Sequence, residues 1–126
     1  MIVADTDVLI DALRGREPAS SRVAAALRDG TIATTAVSAF ELRSGARTPA
    51  EVEVVDTLLA ALPILPFDER ASQAAGASRR ELQSKGQTIG MGDYLIAGIC
   101  LSRASSLLTR NRKHFERIAG LSLDSL

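Results

Sequence analysis

Short apolar runs and longer amphipathic stretches alternate along this chain, and the alternation predicts a strand–helix–strand order. Ile2–Ala4 is an apolar run of the kind found in strands buried on both faces. A helix is expected from Asp7 to Leu13, ended by Arg14-Gly15-Arg16. Pro18 opens a second helix with Val23, Ala26 and Leu27 on one face, and Gly30 closes it. Thr31–Thr35 is β-branched and reads as a strand. A helix starting at Ser38 is interrupted between Gly45 and Pro49, after which Val52, Val55, Leu58, Leu59 and Leu62 recur at helical spacing. Ile64–Pro66 is a short strand between prolines, as expected of an edge or a strand end.

The second half continues the pattern. Asp68 caps a helix to about Ser84, and Gly90-Met91-Gly92 reads as a loop. The run from Asp93 to Arg103 is too apolar for a surface helix. Ser106–Thr109 is a strand, Asn111–Arg117 a turn or short helix, and Leu121–Leu123 a last strand. Strands alternating with helices predict one α/β domain over residues 1–126, a three-layer α/β/α sandwich around a mainly parallel sheet.

Composition narrows the function classes. Fifteen basic residues balance fifteen acidic ones, so no global field recruits a polyanion and nucleic-acid contacts must come from local clusters. Aromatics make up 3% and Trp is absent, which leaves no base-stacking platform. A lone Cys100 excludes an internal disulfide and a Cys-based zinc site and suits a reducing cytoplasm. No basic segment precedes the first apolar run as in a signal peptide, and Tyr94–Leu101 is too short to span a bilayer. A cytoplasmic protein without membrane contact is expected.

Four residues stand where chemistry would be placed: Asp5, Glu41, Asp93 and Asn111. Each also has a structural reading. Asp5 or Asp7 could cap the first helix, and Ser38-Ala39-Phe40-Glu41 has the form of a capping box. Asp93 could cap its own helix, and Asn111 could begin an Asx turn. Asp7 and Asp11 read as capping or solvated, His114 as structural or surface, and Cys100 as core. Considered together, the structural readings weaken. Asp5 and Asn111 each follow an apolar strand, and Asp93 starts a helix that must be buried, so its acid faces a cleft. Carboxylates converging there repel by about 4 kcal/mol per close pair at an effective dielectric near 20. Such a cluster needs a cation or raised pKa values. All-oxygen donors select Mg2+, with Mn2+ as a substitute, over Zn2+. Arg110, Arg112, Lys113 and His114 form either a solvated turn or, beside a metal, phosphate contacts.

These segments resemble the PIN-domain ribonucleases, and among them the VapC-type toxins of bacterial toxin–antitoxin pairs. The resemblance is carried by Ile2-Val3-Ala4-Asp5-Thr6-Asp7, Ser38-Ala39-Phe40-Glu41-Leu42, Gly92-Asp93-Tyr94-Leu95-Ile96-Ala97 and Leu108-Thr109-Arg110-Asn111-Arg112-Lys113-His114-Phe115. It implies metal ligation by Asp5, Glu41 and Asp93, with the fourth acidic position falling on the uncharged Asn111. Thr6 and Thr109 match the family's hydroxyl positions, and Arg110, Arg112 and Lys113 would meet RNA. The implied activity is Mg2+-dependent cleavage of RNA phosphodiesters, and the implied partners are a VapB-type antitoxin and a second copy of the chain. The apolar helices at Pro18–Arg28 and Ala50–Leu62 would offer the antitoxin a groove. Two alternatives stand beside this. One is a non-catalytic module of the same fold that binds RNA or protein. The other is a haloacid-dehalogenase-type phosphatase with Asp5 as nucleophile, although Thr109 here follows Gly92-Asp93 where that family expects the reverse order.

Overall fold

The computed structural model describes all 126 residues. Its elements run β1 (Ile2–Ala4), α1 (Thr6–Leu13), α2 (Ala19–Asp29), β2 (Ile32–Thr35), α3 (Ala36–Gly45) and α4 (Pro49–Ala60), then β3 (Ile64–Leu65), α5 (Glu69–Ser84), α6 (Met91–Ser102), β4 (Ser106–Leu108), α7 (Arg112–Phe115) and β5 (Leu123–Asp124). The five strands form one sheet in the order β3-β2-β1-β4-β5, every neighbouring pair parallel.

The strand at the start of the chain is the middle of the sheet. Ile2 and Val3 pair with Ile32 and Ala33 on one side, and Ile2, Val3 and Ala4 with Ser106, Leu107 and Leu108 on the other. Side chains alternate between faces along a strand. Ala4 and Leu108 therefore join the core under α1–α4 with Val8, Leu9, Val23, Ile32, Leu42 and Leu59. Val3 and Leu107 join the core on the other face with Leu82, Tyr94, Ile96, Ala97 and Phe115. These two cores make the expected α/β/α layering. No helix is long and apolar enough to cross a membrane.

Several boundaries shift by a residue or two from the sequence reading, the last strand to Leu123–Asp124 among them, and two of the differences reach the site. The third helix starts at Ala36, not Ser38, because Thr35, the last residue of β2, caps it by accepting from the Ser38 amide at 3.0 Å. A β-branched Thr serves here as both strand end and N-cap, so no residues are spent on a turn. The sixth helix starts at Met91, with Gly90 as N-cap and its carbonyl accepting from the Asp93 amide at 3.1 Å. The apparent loop is its first turn, which carries Asp93. Behind it, α6 packs tightly on α5: a methyl added at Gly98 would lie 2.5 Å from the Ala71 carbonyl oxygen.

Candidate active site

Parallel strands present their carboxyl ends at one edge of the sheet, where ligands of open α/β folds bind. Asp5 follows β1 there and is only 6% exposed. Its Oδ1 accepts from the Thr6 amide at 2.8 Å, which caps α1, and its Oδ2 accepts from Thr109 Oγ1 at 2.7 Å. Burial, then the neighbouring Asp7 charge, push its carboxyl up to about 7, with Asp93 adding to the rise and the Thr109 and Thr6 hydrogen bonds opposing it.

Glu41 is not the closing member of a capping box. Thr35 already satisfies the Ser38 amide, and the Glu41 carboxylate instead accepts from Thr6 Oγ1 at 2.6 Å. Ser38 Oγ lies 2.8 Å from that same hydroxyl, so Ser38 donates to Thr6 and Thr6 to Glu41. On the facing element, a methyl added at Gly92 would lie 3.5 Å from Glu41 Oε2, which sets Glu41 against the first turn of α6. Asp93 in that turn is 3.2 Å from His114 Nδ1. Asn111 Nδ2 is 2.8 Å from the same nitrogen. The ring nitrogen either accepts from the Asn111 amide or, protonated, donates to Asp93. Asn111 forms no Asx cap of its own; its backbone N–H donates to Thr109 Oγ1 at 3.0 Å.

The structure thus gathers Asp5, Thr6, Glu41 and Thr109 in one hydrogen-bonded group and Asp93 and Asn111 in another beside it. His114 belongs with the second group, which the sequence reading missed. Its signal was the Asn111–His114 spacing of three, one helical turn. The basic turn divides its labour. Arg110 Nε donates to Asp11 at 2.9 Å, Arg112 Nη1 donates to the Asp124 carbonyl at 2.9 Å, and Lys113 is exposed. Asp11, read from sequence as capping or solvated, is buried at 6% exposure. Asp7 accepts from the Arg110 amide at 3.1 Å.

No metal-binding set of three or more Asp, Glu, His or Cys side chains is closed in this arrangement. The donor chemistry nevertheless fits a hard cation. Asp5, Glu41 and Asp93 have no Lys or Arg partner, and the Asp5 carboxylate is held buried against its own charge. Carboxylates so placed are stabilised by a cation.

The sequence matches the PIN domain family over residues 2–121. It is 40% identical to Ribonuclease VapC10 of Mycobacterium tuberculosis over 115 residues, covering 91% of this chain and 86% of that one. The chain is a PIN-domain protein of the VapC family. It is also 31% identical to the tRNA(fMet)-specific endonuclease VapC of Shigella flexneri over 121 residues, covering 93% of this chain and 91% of that protein. Its fold is similar to that in the crystal structure of VapBC2 from Rickettsia felis bound to a DNA fragment, with a TM-score of 0.90 at 27% identity over 100% of this chain and 99% of that one. The DNA-bound VapBC of Salmonella typhimurium gives a TM-score of 0.89 at 28% identity, covering 98% and 96%. With the family shown, the phosphatase reading of Asp5-Thr6-Asp7 falls.

The groove expected of two helices is built differently. A cavity of about 490 Å³ lies between α1, α3 and α4, lined by Ile10, Leu13, Leu42, Ala46, Val54 and Val55 among others, with Glu41 in its wall. The second helix contributes nothing, because Ala19, Val23 and Ala26 are buried in the core.

Proposed function

We propose that this chain is a metal-dependent endoribonuclease, the toxin of a VapBC-type pair, acting in the cytoplasm. One observation carries the reading. In a chain 40% identical to a protein named a ribonuclease, the buried Asp5 carboxylate sits with Glu41 and Asp93 nearby and no Lys or Arg partner for any of the three.

Asp5, Glu41 and Asp93 would hold Mg2+, or Mn2+ in its place. When bound, the ion supplies an activated water for in-line attack at phosphorus and offsets the charge that develops there. Thr109 orients Asp5, and the Ser38–Thr6 pair orients Glu41, so two of the three acids are held before any ligand arrives. Asn111, next to Asp93 through His114, would align the attacking water by hydrogen bonding. Lys113 and the exposed guanidinium groups of Arg110 and Arg112 would take phosphates along the RNA.

The cavity between α1, α3 and α4 has a mostly apolar lining with two acids, Glu41 and Glu51, and one base, Arg14. That combination suits an amphipathic helix of a VapB-type antitoxin carrying Arg or Lys toward Glu41. Phe40, 67% exposed, and Met91, 54% exposed, flank the site on α3 and α6 and would be covered by a second copy of the chain.

Cleavage of a short RNA should need Mg2+ or Mn2+, stop with EDTA, and be abolished in Asp5→Ala and Asp93→Ala while both variants stay folded. Undiminished cleavage in either variant overturns the assignment; binding without cleavage in the wild type would favour the non-catalytic module. Val54→Asp should release the antitoxin while sparing cleavage, and unchanged affinity would move the partner elsewhere.

A further inference from the structure

Asp7 and Asp11 lie one turn apart on α1, and the chemistry above uses neither. Asp11 is 6% exposed, and a carboxylate that deep must have its charge met. Arg110, far along the chain in the β4–α7 connection, meets it: Nε donates to Asp11 Oδ2 at 2.9 Å. Asp7 Oδ2 accepts from the backbone N–H of the same Arg110 at 3.1 Å and lies 3.5 Å from Thr109 Oγ1. The main chain and side chain of one residue are thus held by two acids of one helix. On its two sides stand Thr109, which donates to Asp5 at 2.7 Å, and Asn111, 2.8 Å from His114.

We infer that Asp7 and Asp11 are positioning residues that fix Arg110 and its turn, setting Thr109 against Asp5 and Asn111 beside Asp93 and presenting Arg110 to an RNA phosphate. The inference rests on the ribonuclease reading. Stability alone does not account for the arrangement. Asp7 Oδ1 and Asp11 Oδ1 are buried without hydrogen-bond partners, Arg16 Nη1 standing 3.9 Å from the latter, which costs free energy that apolar side chains would avoid. The ion pair also selects which edge of the guanidinium is used. Asp11 takes Nε, and the side chain remains 53% exposed, so the four Nη hydrogens are left for a bidentate phosphate contact. Arg110 in this place also covers two negative charges that would otherwise repel RNA.

The test compares the wild-type chain with Asp11→Asn, Asp11→Ala and Arg110→Lys in four measurements. These are urea unfolding, amide exchange at residues 109–111, single-turnover cleavage of a short oligoribonucleotide with Mg2+, and binding of that oligonucleotide without divalent metal over a salt series. Asp11→Asn keeps the shape and guards against loss of fold in the alanine variant. The expected result for Asp11→Asn is an unfolding midpoint near wild type, faster exchange at Arg110 and Asn111, and cleavage slowed about 10–100-fold, as for other residues that orient a site. Arg110→Lys keeps the charge but has no Nε–H, so it should match Asp11→Asn in exchange and cleavage and keep the wild-type salt slope. Unchanged exchange and cleavage in folded Asp11→Asn, with an active wild type, overturn the positioning role alone. A slowing matched by an equal loss of stability overturns it too, as a purely structural effect. A wild-type chain that neither binds nor cleaves the oligonucleotide overturns the ribonuclease reading and Arg110's role toward phosphate.

Discussion

Thr6 donates to Glu41 Oε1 across 2.6 Å, while Asp5, the residue before it, accepts from Thr109 Oγ1 across 2.7 Å. Two consecutive residues after β1 therefore reach opposite ways, one to α3 and one to the end of β4, and tie three elements to one point.

Thr6→Val keeps the shape and removes the donor to Glu41. RNA cleavage should fall about 10–100-fold, the usual effect of losing a group that orients a ligand. Thr6→Ser should restore most of it. The comparison is made by single-turnover kinetics at saturating Mg2+, and equal rates in the Val and Ser variants would remove Thr6 from the site.

The Asp5 carboxyl makes stability depend on pH. Unfolding lowers its pKa from about 7 to 3.8, so between those values the native state binds more protons than the unfolded one. Stability then falls as pH rises through this window, with the cost absent below it and complete above it. Asp7, also raised by burial, adds in the same direction. Asp5→Asn should stabilise the metal-free chain above neutral pH on the order of 2–4 kcal/mol, by less inside the window, and do little below about pH 4. Urea midpoints at both ends of the window test this. Mg2+ should narrow the gap by favouring the charged wild-type carboxylate.

On the proposed reading, a neutral Asn111 would leave three carboxylates to hold a cation, enough for one Mg2+ and weak for a second. Calorimetry with Mn2+ should find one well-occupied site in the wild type and tighter binding in Asn111→Asp, with cleavage equal or faster. Asn111→Ala should slow cleavage less than Asp93→Ala does. Two equally tight ions in the wild type would contradict this.

Gly98 permits the closest approach of α6 to α5. An added methyl would meet the Ala71 carbonyl oxygen at 2.5 Å and Ala75 Cβ at 2.7 Å. Ala is the better helix former by about 1 kcal/mol, but forced overpacking costs more, so Gly98→Ala should lose about 1–3 kcal/mol. The urea midpoint reads the loss. Displacement of α6 would also move Asp93, and metal affinity should drop with it.

The layers and the acids were legible in the sequence because each is a local signal. Ile2–Ala4 before Asp5 and Ser106–Leu108 before Thr109 read directly as buried parallel strands with polar tips. What stayed hidden was pairing between distant segments. Glu41 satisfied a local capping pattern, and only the Thr35 hydroxyl, already bonded to the Ser38 amide, frees it for Thr6. Asp11 looked solvated because its nearer cation, Arg110 at 2.9 Å, lies at the far end of the chain, while the local Arg16 stands off at 3.9 Å. His114 looked solitary for the same reason, since Asp93 reaches it from another helix. The groove was assigned in part to the helix at Pro18–Arg28, whose Ala19, Val23 and Ala26 are buried in the core, and no local pattern says whether an apolar helix face meets the core or an absent partner.

The middle position of β1 has a consequence for the order of events during synthesis. Its neighbour β4 and the hydroxyl that holds Asp5 are made only when the ribosome has passed Thr109. Until then Asp5 has no Thr109, Asp93 has no His114, and the core on the α5–α6 face lacks Leu107 and Phe115. Long-range pairing of this kind is slow to close. A nascent chain therefore carries its acids unassembled until β4 and the turn after it have been made, so the site is among the last parts of the fold to close.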